Sequence, residues 1–167
     1  MEYPDTTNLP SELQEALSTH SANIYRMVAH SPGMAASFLS MADAMLQANS
    51  LPLPLRELAI LRVGHIYSAP YEIHHHERFA RAVGLGDIAI AAAATGSTDG
   101  LSSEEAAILA LTDRLLLSHT LDDSDRKSAL EFLTVTQLAD LVLTVGFYQL
   151  VCNFLNAFEV TTDGEPF

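Results

Sequence analysis

Apolar residues return every three or four positions along most of this chain, the repeat of one helix face. No stretch alternates apolar with polar long enough to predict a strand. Ser11 and Gln14 have capping-box spacing and open a helix expected to run to about His30. Pro32 starts a second, to about Asn49, carrying Met34, Phe38, Met41 and Leu46. After the break at Leu51-Pro-Leu-Pro54, a third helix has Pro54 in its first turn and reaches about Ser68. Pro70 opens a fourth, ended by Gly84. An alanine-rich helix to about Thr95 follows, then a turn at 96–100 and a helix from Ser102 to about His119. Residues 122–133 and 136–158 complete the set. The pattern predicts an all-α fold: a single compact domain over 1–167, with seven or eight helices and loose ends at 1–10 and 161–167.

The third helix stands apart. Leu55, Leu58, Ala59, Ile60, Leu61, Val63, Ile66 and Tyr67 leave it almost no polar face. A helix apolar all round is enclosed by protein. It is therefore either the centre of the fold or covered by a second subunit, and a homo-oligomer (dimer, trimer or hexamer) is expected.

Composition narrows the function. Eight basic residues against twenty-one acidic ones give a formal charge of −13, which repels nucleic acid and anionic lipid alike. No nucleic-acid or membrane partner is expected, and no membrane span either, since no uninterrupted apolar run approaches about 18 residues. The start lacks the basic and apolar regions of a secretory signal, and Cys152 is the only cysteine. A cytoplasmic location follows as the expectation, and a two-cysteine redox motif is excluded. An anionic substrate would need a locally positive pocket, for which Arg56 and Arg62 are candidates; pairing with carboxylates is the commoner role of such arginines.

Candidate chemistry gathers in Tyr71-Glu-Ile-His-His-His76. On a helical wheel His76 falls within the stripe of Ile73, Ala80 and Val83, with Phe79 at its edge and Glu72 on its flank. Glu72 and His76 are one turn apart, so an ionised Glu72 favours the imidazolium while burial opposes it. The balance predicts a histidine titrating near neutrality, where acid–base catalysis is most effective. A satisfied structural pair is the simpler alternative. Three successive histidines cannot converge on one ion, because each is rotated by about 100° from the next. His74 is expected in solvent and His75 near Tyr71. A Glu72–His76 metal site completed by Glu57 or His65 matches no known motif, and no metal is expected. Glu57 serves either the helix N-terminus, a pair with Arg56 or Arg62, or a pocket between the third and fourth helices.

Together, Arg56-Glu-Leu-Ala-Ile-Leu-Arg62, Tyr71-Glu-Ile-His-His-His76, the small residues Ala80 and Ala82, and Gly84-Leu85 resemble the carboxymuconolactone decarboxylase family of the AhpD-like all-helical superfamily. The resemblance continues through Ser103-Glu-Glu-Ala-Ala107 and Thr144-Val-Gly-Phe-Tyr148 to Leu155-Asn-Ala-Phe-Glu-Val160, covering roughly residues 51–160. Ile73 replaces the family's usual tryptophan. Ala69 and Glu72 stand where the peroxidase branch carries its Cys-x-x-Cys, so dithiol chemistry is lost. The resemblance implies an AhpD-like fold and a cofactor-independent lyase or isomerase acting on an unsaturated lactone or activated carbonyl acid. Its catalytic residues would be His76, Glu72 and Glu57, with substrate contacts from Tyr71, His75, Arg62 and Tyr148. A metal- or redox-assisted oxidoreductase of the same superfamily and a non-catalytic oligomeric binding protein are the competing readings.

Overall fold

A computed structural model describes residues 1–162 and 164. Among the described residues the regular structure is helical: a 3₁₀ turn at Thr6–Asn8 and nine α-helices, with no strand. The chain divides into two compact units, 1–49 with 155–167 and 50–154.

The first unit holds α1 (Ser11–Ser18), α2 (Asn23–Val28) and α3 (Pro32–Gln47). One long helix was expected here up to His30; two short ones form. Thr19 Oγ1 donates to the Ala16 carbonyl at 2.9 Å, and His20 Nδ1 lies 2.7 Å from the same oxygen. Side chains at the end of α1 thus take up its last carbonyls and stop it. The Ser11–Gln14 capping box does not form either. Pro10 occupies the N-cap, and Gln14 Nε2 donates instead to the carbonyls of Thr7 and Leu9. The start of the chain is hydrogen-bonded: Asp5 accepts from Thr7 N and Oγ1, and His30 Nε2 donates to the Glu2 carbonyl. The expected loose tail falls largely on residues 163 and 165–167, outside the described residues.

The second unit is built around α4 (Leu53–Ile66), which packs on α5 (Pro70–Ala82), α6 (Asp87–Thr95) and α7 (Ser103–Ser118). Every α4 residue from Leu55 to Gly64 is buried, so its lack of a polar face is explained within one chain. The hydrophobic core here comprises Leu58, Ile60, Leu61 and Val63 with Ile108, Leu109 and Leu141. Two capping boxes fix helix starts. Ser102 with Glu105 opens α7, and Asp122 with Asp125 opens α8 (Asp123–Ala129).

The last helix, α9 (Val135–Phe158), begins with a reciprocal pair in which Thr134 and Gln137 each accept from the other's backbone N–H. By length and composition α9 could cross a membrane, although shorter apolar runs had argued against any such segment. Leu141, Val145, Tyr148, Val151 and Cys152 form its buried side.

Candidate active site

Three ionisable side chains are brought together inside the second unit. Glu57 lies on α4, Glu72 and His76 on α5, and all are buried, with 1%, 4% and 6% of their surface exposed. Pro70 at the start of α5 fixes the helix phase, and the one-turn spacing sets Glu72 beside His76. Gly64 sets how near the two helices come. A Cβ there would lie 3.3 Å from Ile73 Cγ1 and 3.6 Å from Glu72 Cγ.

His76 stands between two carboxylates. Its Nδ1 is 2.6 Å from Glu57 Oε2, and its Nε2 is 2.9 Å from Glu72 Oε1. The first contact is a short, charge-assisted hydrogen bond. The second is an ion pair off the hydrogen-bond axis, since no donor is aligned with Glu72 Oε1. A neutral imidazole carries one N–H, so two facing carboxylates are satisfied only by the cation. Burial opposes that charge, but the negative Glu72 and the bond to Glu57 outweigh it, raising the pKa of His76 from 6.5 to about 10. Titration near neutrality, expected from the sequence, is therefore corrected: a second carboxylate, 19 positions away, tips the balance.

Arg56 completes the charge set. It is buried, with Nε and Nη2 both 3.4 Å from Glu57 Oε1. Two carboxylates and two basic groups thus share the interior, each facing a partner of the opposite type.

Aromatic rings surround the imidazole. Tyr148 on α9 meets His76 edge-on, with centroids 5.1 Å apart, and Phe79 lies 5.6 Å away. Tyr71 is buried and stacks obliquely on His75 at 4.5 Å. The burial of α5 is rotated from the expected stripe. Tyr71, Glu72, His76 and Ala80 face inward, while Ile73 and Val83 are half-buried and Phe79 is 52% exposed.

Residues 32–113 match the model of the carboxymuconolactone decarboxylase family. Over that span the chain is similar to the family. No curated protein matches it. Among solved structures, it is similar to one described as an alkylhydroperoxidase AhpD core, an uncharacterized peroxidase-related protein from Ralstonia eutropha JMP134. The two share 19% identity over 94% of this chain and 88% of that one, with a TM-score of 0.80. The likeness establishes the AhpD-like all-helical fold.

At this site Glu57, Glu72, His76 and Tyr148 meet, and Tyr71 with His75 form a neighbouring pair on α5. Arg62 does not join them. Its Nε and Nη2 bind Asp113 at 2.6 and 3.1 Å, and Nη1 donates to the Ala93 carbonyl at 3.0 Å. Its expected role as a substrate contact is replaced by that of a clamp on the end of α6, using a partner 51 residues away. His65 has its pKa lowered, first by burial, while Glu77 raises it and Arg62 lowers it further; its charged neighbours are thus not the three acid–base residues. Among the described residues no group of three is arranged to hold a metal ion, and the nitrogens and oxygens around His76 are in direct contact.

Cys152 is the lone cysteine of the sequence. It is buried on α9, one turn beyond Tyr148, and its thiol pKa is pushed well above the ordinary value by burial and by the charge of Glu72. It therefore belongs to the surroundings of Glu72 as an unionised thiol. The one-turn spacing of Tyr148 and Cys152 was the available signal, since it sets both on one helix face.

Proposed function

We propose that this protein is a cofactor-independent acid–base enzyme acting on an unsaturated lactone or activated carbonyl acid, by decarboxylation or a related isomerisation or elimination. The observation that carries this reading is His76, held as an imidazolium between Glu57 and Glu72.

In the decarboxylation, the bond to the carboxylate breaks and carbon dioxide leaves. The electron pair passes into the conjugated carbonyl as a dienolate. His76 then gives a proton from Nε2 to carbon, and the neutral ring regains one from solvent by way of Glu72. Nε2 is the proposed donor because the shorter contact, at Nδ1, anchors the ring to Glu57. An acid with a pKa near 10 transfers readily only to a strongly basic acceptor, which a dienolate carbon is. Tyr71, His75 and Tyr148 are proposed to contact the substrate, and Tyr148 is positioned by its edge-on packing against His76.

Dithiol chemistry is not part of the proposal, because the sequence has a single cysteine. A cytoplasmic homo-oligomer remains part of it. The support is the lone buried Cys152 and the exposed apolar side chains Val135, Val142, Leu143 and Leu150 along α9.

The test is turnover of lactone acids, followed as carbon dioxide release, by the wild type and His76→Gln. A loss of roughly 100-fold or more is expected if His76 carries the proton. An unchanged rate in a folded variant would end that assignment.

A further inference from the structure

The first unit contains a cavity of about 440 Å³, separate in sequence from the acid–base residues and lined by Thr6, Thr7, Gln14, Ser18, Ser21 and Arg26, with Leu17 and His20 completing its wall. Its lining is carboxylate-free in a chain with twenty-one acidic residues. The volume lies in the range that small-molecule sites occupy.

Arg26 differs from five other arginines of the chain. Arg56, Arg62, Arg81, Arg114 and Arg126 each lie within ion-pair distance of a carboxylate. Among the described residues Arg26 has no such partner. Its Nη1 donates to Asn23 Oδ1 at 3.2 Å, and its guanidinium carbon sits 4.4 Å from the centre of the Tyr3 ring. Asn23 is itself buried and donates to the Thr161 carbonyl. These contacts orient the guanidinium plane while leaving Nε and Nη2 without an acceptor among the described residues. A planar, pre-oriented fork with unused N–H groups suits a carboxylate or phosphate.

The remaining wall is polar and mostly oriented. Gln14 spends its amide N–H groups on Thr7 and Leu9, so its carbonyl oxygen is left as an acceptor. Thr7 and Ser18 donate their hydroxyl protons to Asp5 and the Glu15 carbonyl, which also leaves them as acceptors. His20 is held between the Ala16 carbonyl and Asp43, so its charge is balanced locally. Such a lining accepts hydrogen bonds from a ligand's own hydroxyls, beside one cationic anchor.

We propose that this cavity is a binding site for a small hydroxylated organic anion, whose carboxylate or phosphate is held by Arg26 and whose hydroxyls meet Gln14, Thr7 and Ser18. The net charge of −13 opposes capture at long range, so binding depends on these local contacts.

The test uses the full-length, ¹⁵N-labelled protein, titrated separately with citrate and with glycerol 3-phosphate at constant ionic strength. At least one should give saturable shifts centred on Thr6, Ser21 and the Arg26 side chain, and the one that does identifies the anion. Arg26→Gln should weaken binding about tenfold or more, with Arg26→Lys retaining part of it. If Arg26→Gln does not fold, Ser18→Ala on the exposed rim should still weaken binding measurably. The proposal is overturned if neither probe saturates below roughly 10 mM. Shifts that map elsewhere, or variants that bind as tightly as the wild type, would overturn it equally.

Discussion

Replacing Glu72 by Gln removes the charge beside His76 Nε2 while keeping the shape of the side chain. The ion pair closes to 2.9 Å, and unit charges about 4 Å apart attract by about 4 kcal/mol at an effective dielectric near 20. That corresponds to about 3 pKa units. The amide dipole beside the ring recovers part of the loss, so a fall of about 2 units is expected. The sign for stability follows from linkage. His76 is raised in the folded state, so its contribution is complete below 6.5 and is lost as pH climbs towards about 10. In Glu72→Gln the loss should be complete about 2 units earlier. Ring resonances of labelled histidine, followed against pH, give the titration directly. Urea midpoints between pH 7 and 10 give the stability. Because Glu72 is the largest influence raising the pKa, Glu72→Gln should lower it more than Glu57→Gln. A wild-type His76 titrating near 6.5, or the reverse order of the two variants, would refute the reasoning.

Two other outcomes are expected. Gly96 and Gly84 share a left-handed conformation, with φ of +76° and +88°, but a Cβ on Gly96 would lie 2.8 Å from Arg62 Nη2, whereas one on Gly84 meets nothing within 4 Å. In urea unfolding, Gly84→Ala should cost about 1 kcal/mol. Gly96→Ala should cost about 2–3 kcal/mol, because Arg62 must also loosen its hold on Asp113 or α6; equal losses would show that Arg62 yields freely. Cys152 should resist a thiol reagent at pH 8 in native buffer and react fully once denatured, given its burial and raised pKa. Rapid labelling of the folded protein would contradict its placement beside Glu72.

Local signals carried much of the fold. Pro32, Pro70 and the Ser102–Glu105 box mark helix starts that the structure reproduces, because each acts through atoms within one turn. The break at Thr19 was missed because the competing acceptor is a helix carbonyl, used by side chains that are also tolerated inside helices. At the candidate site, the Glu72–His76 neighbourhood was legible from its spacing. The Glu57 contact at Nδ1 and the Arg62–Asp113 pair were not, since they join residues 19 and 51 positions apart. Only the packing of α4 against α5 and α7 brings them together.

The enclosure of α4 also shapes how this sequence can drift. A helix at a surface absorbs most substitutions on its outward positions, whereas the ten consecutive residues from Leu55 to Gly64 have no outward position to offer. Variation there must be compensated by neighbouring helices. The very segment that carries Glu57 is thus the one least free to change alone.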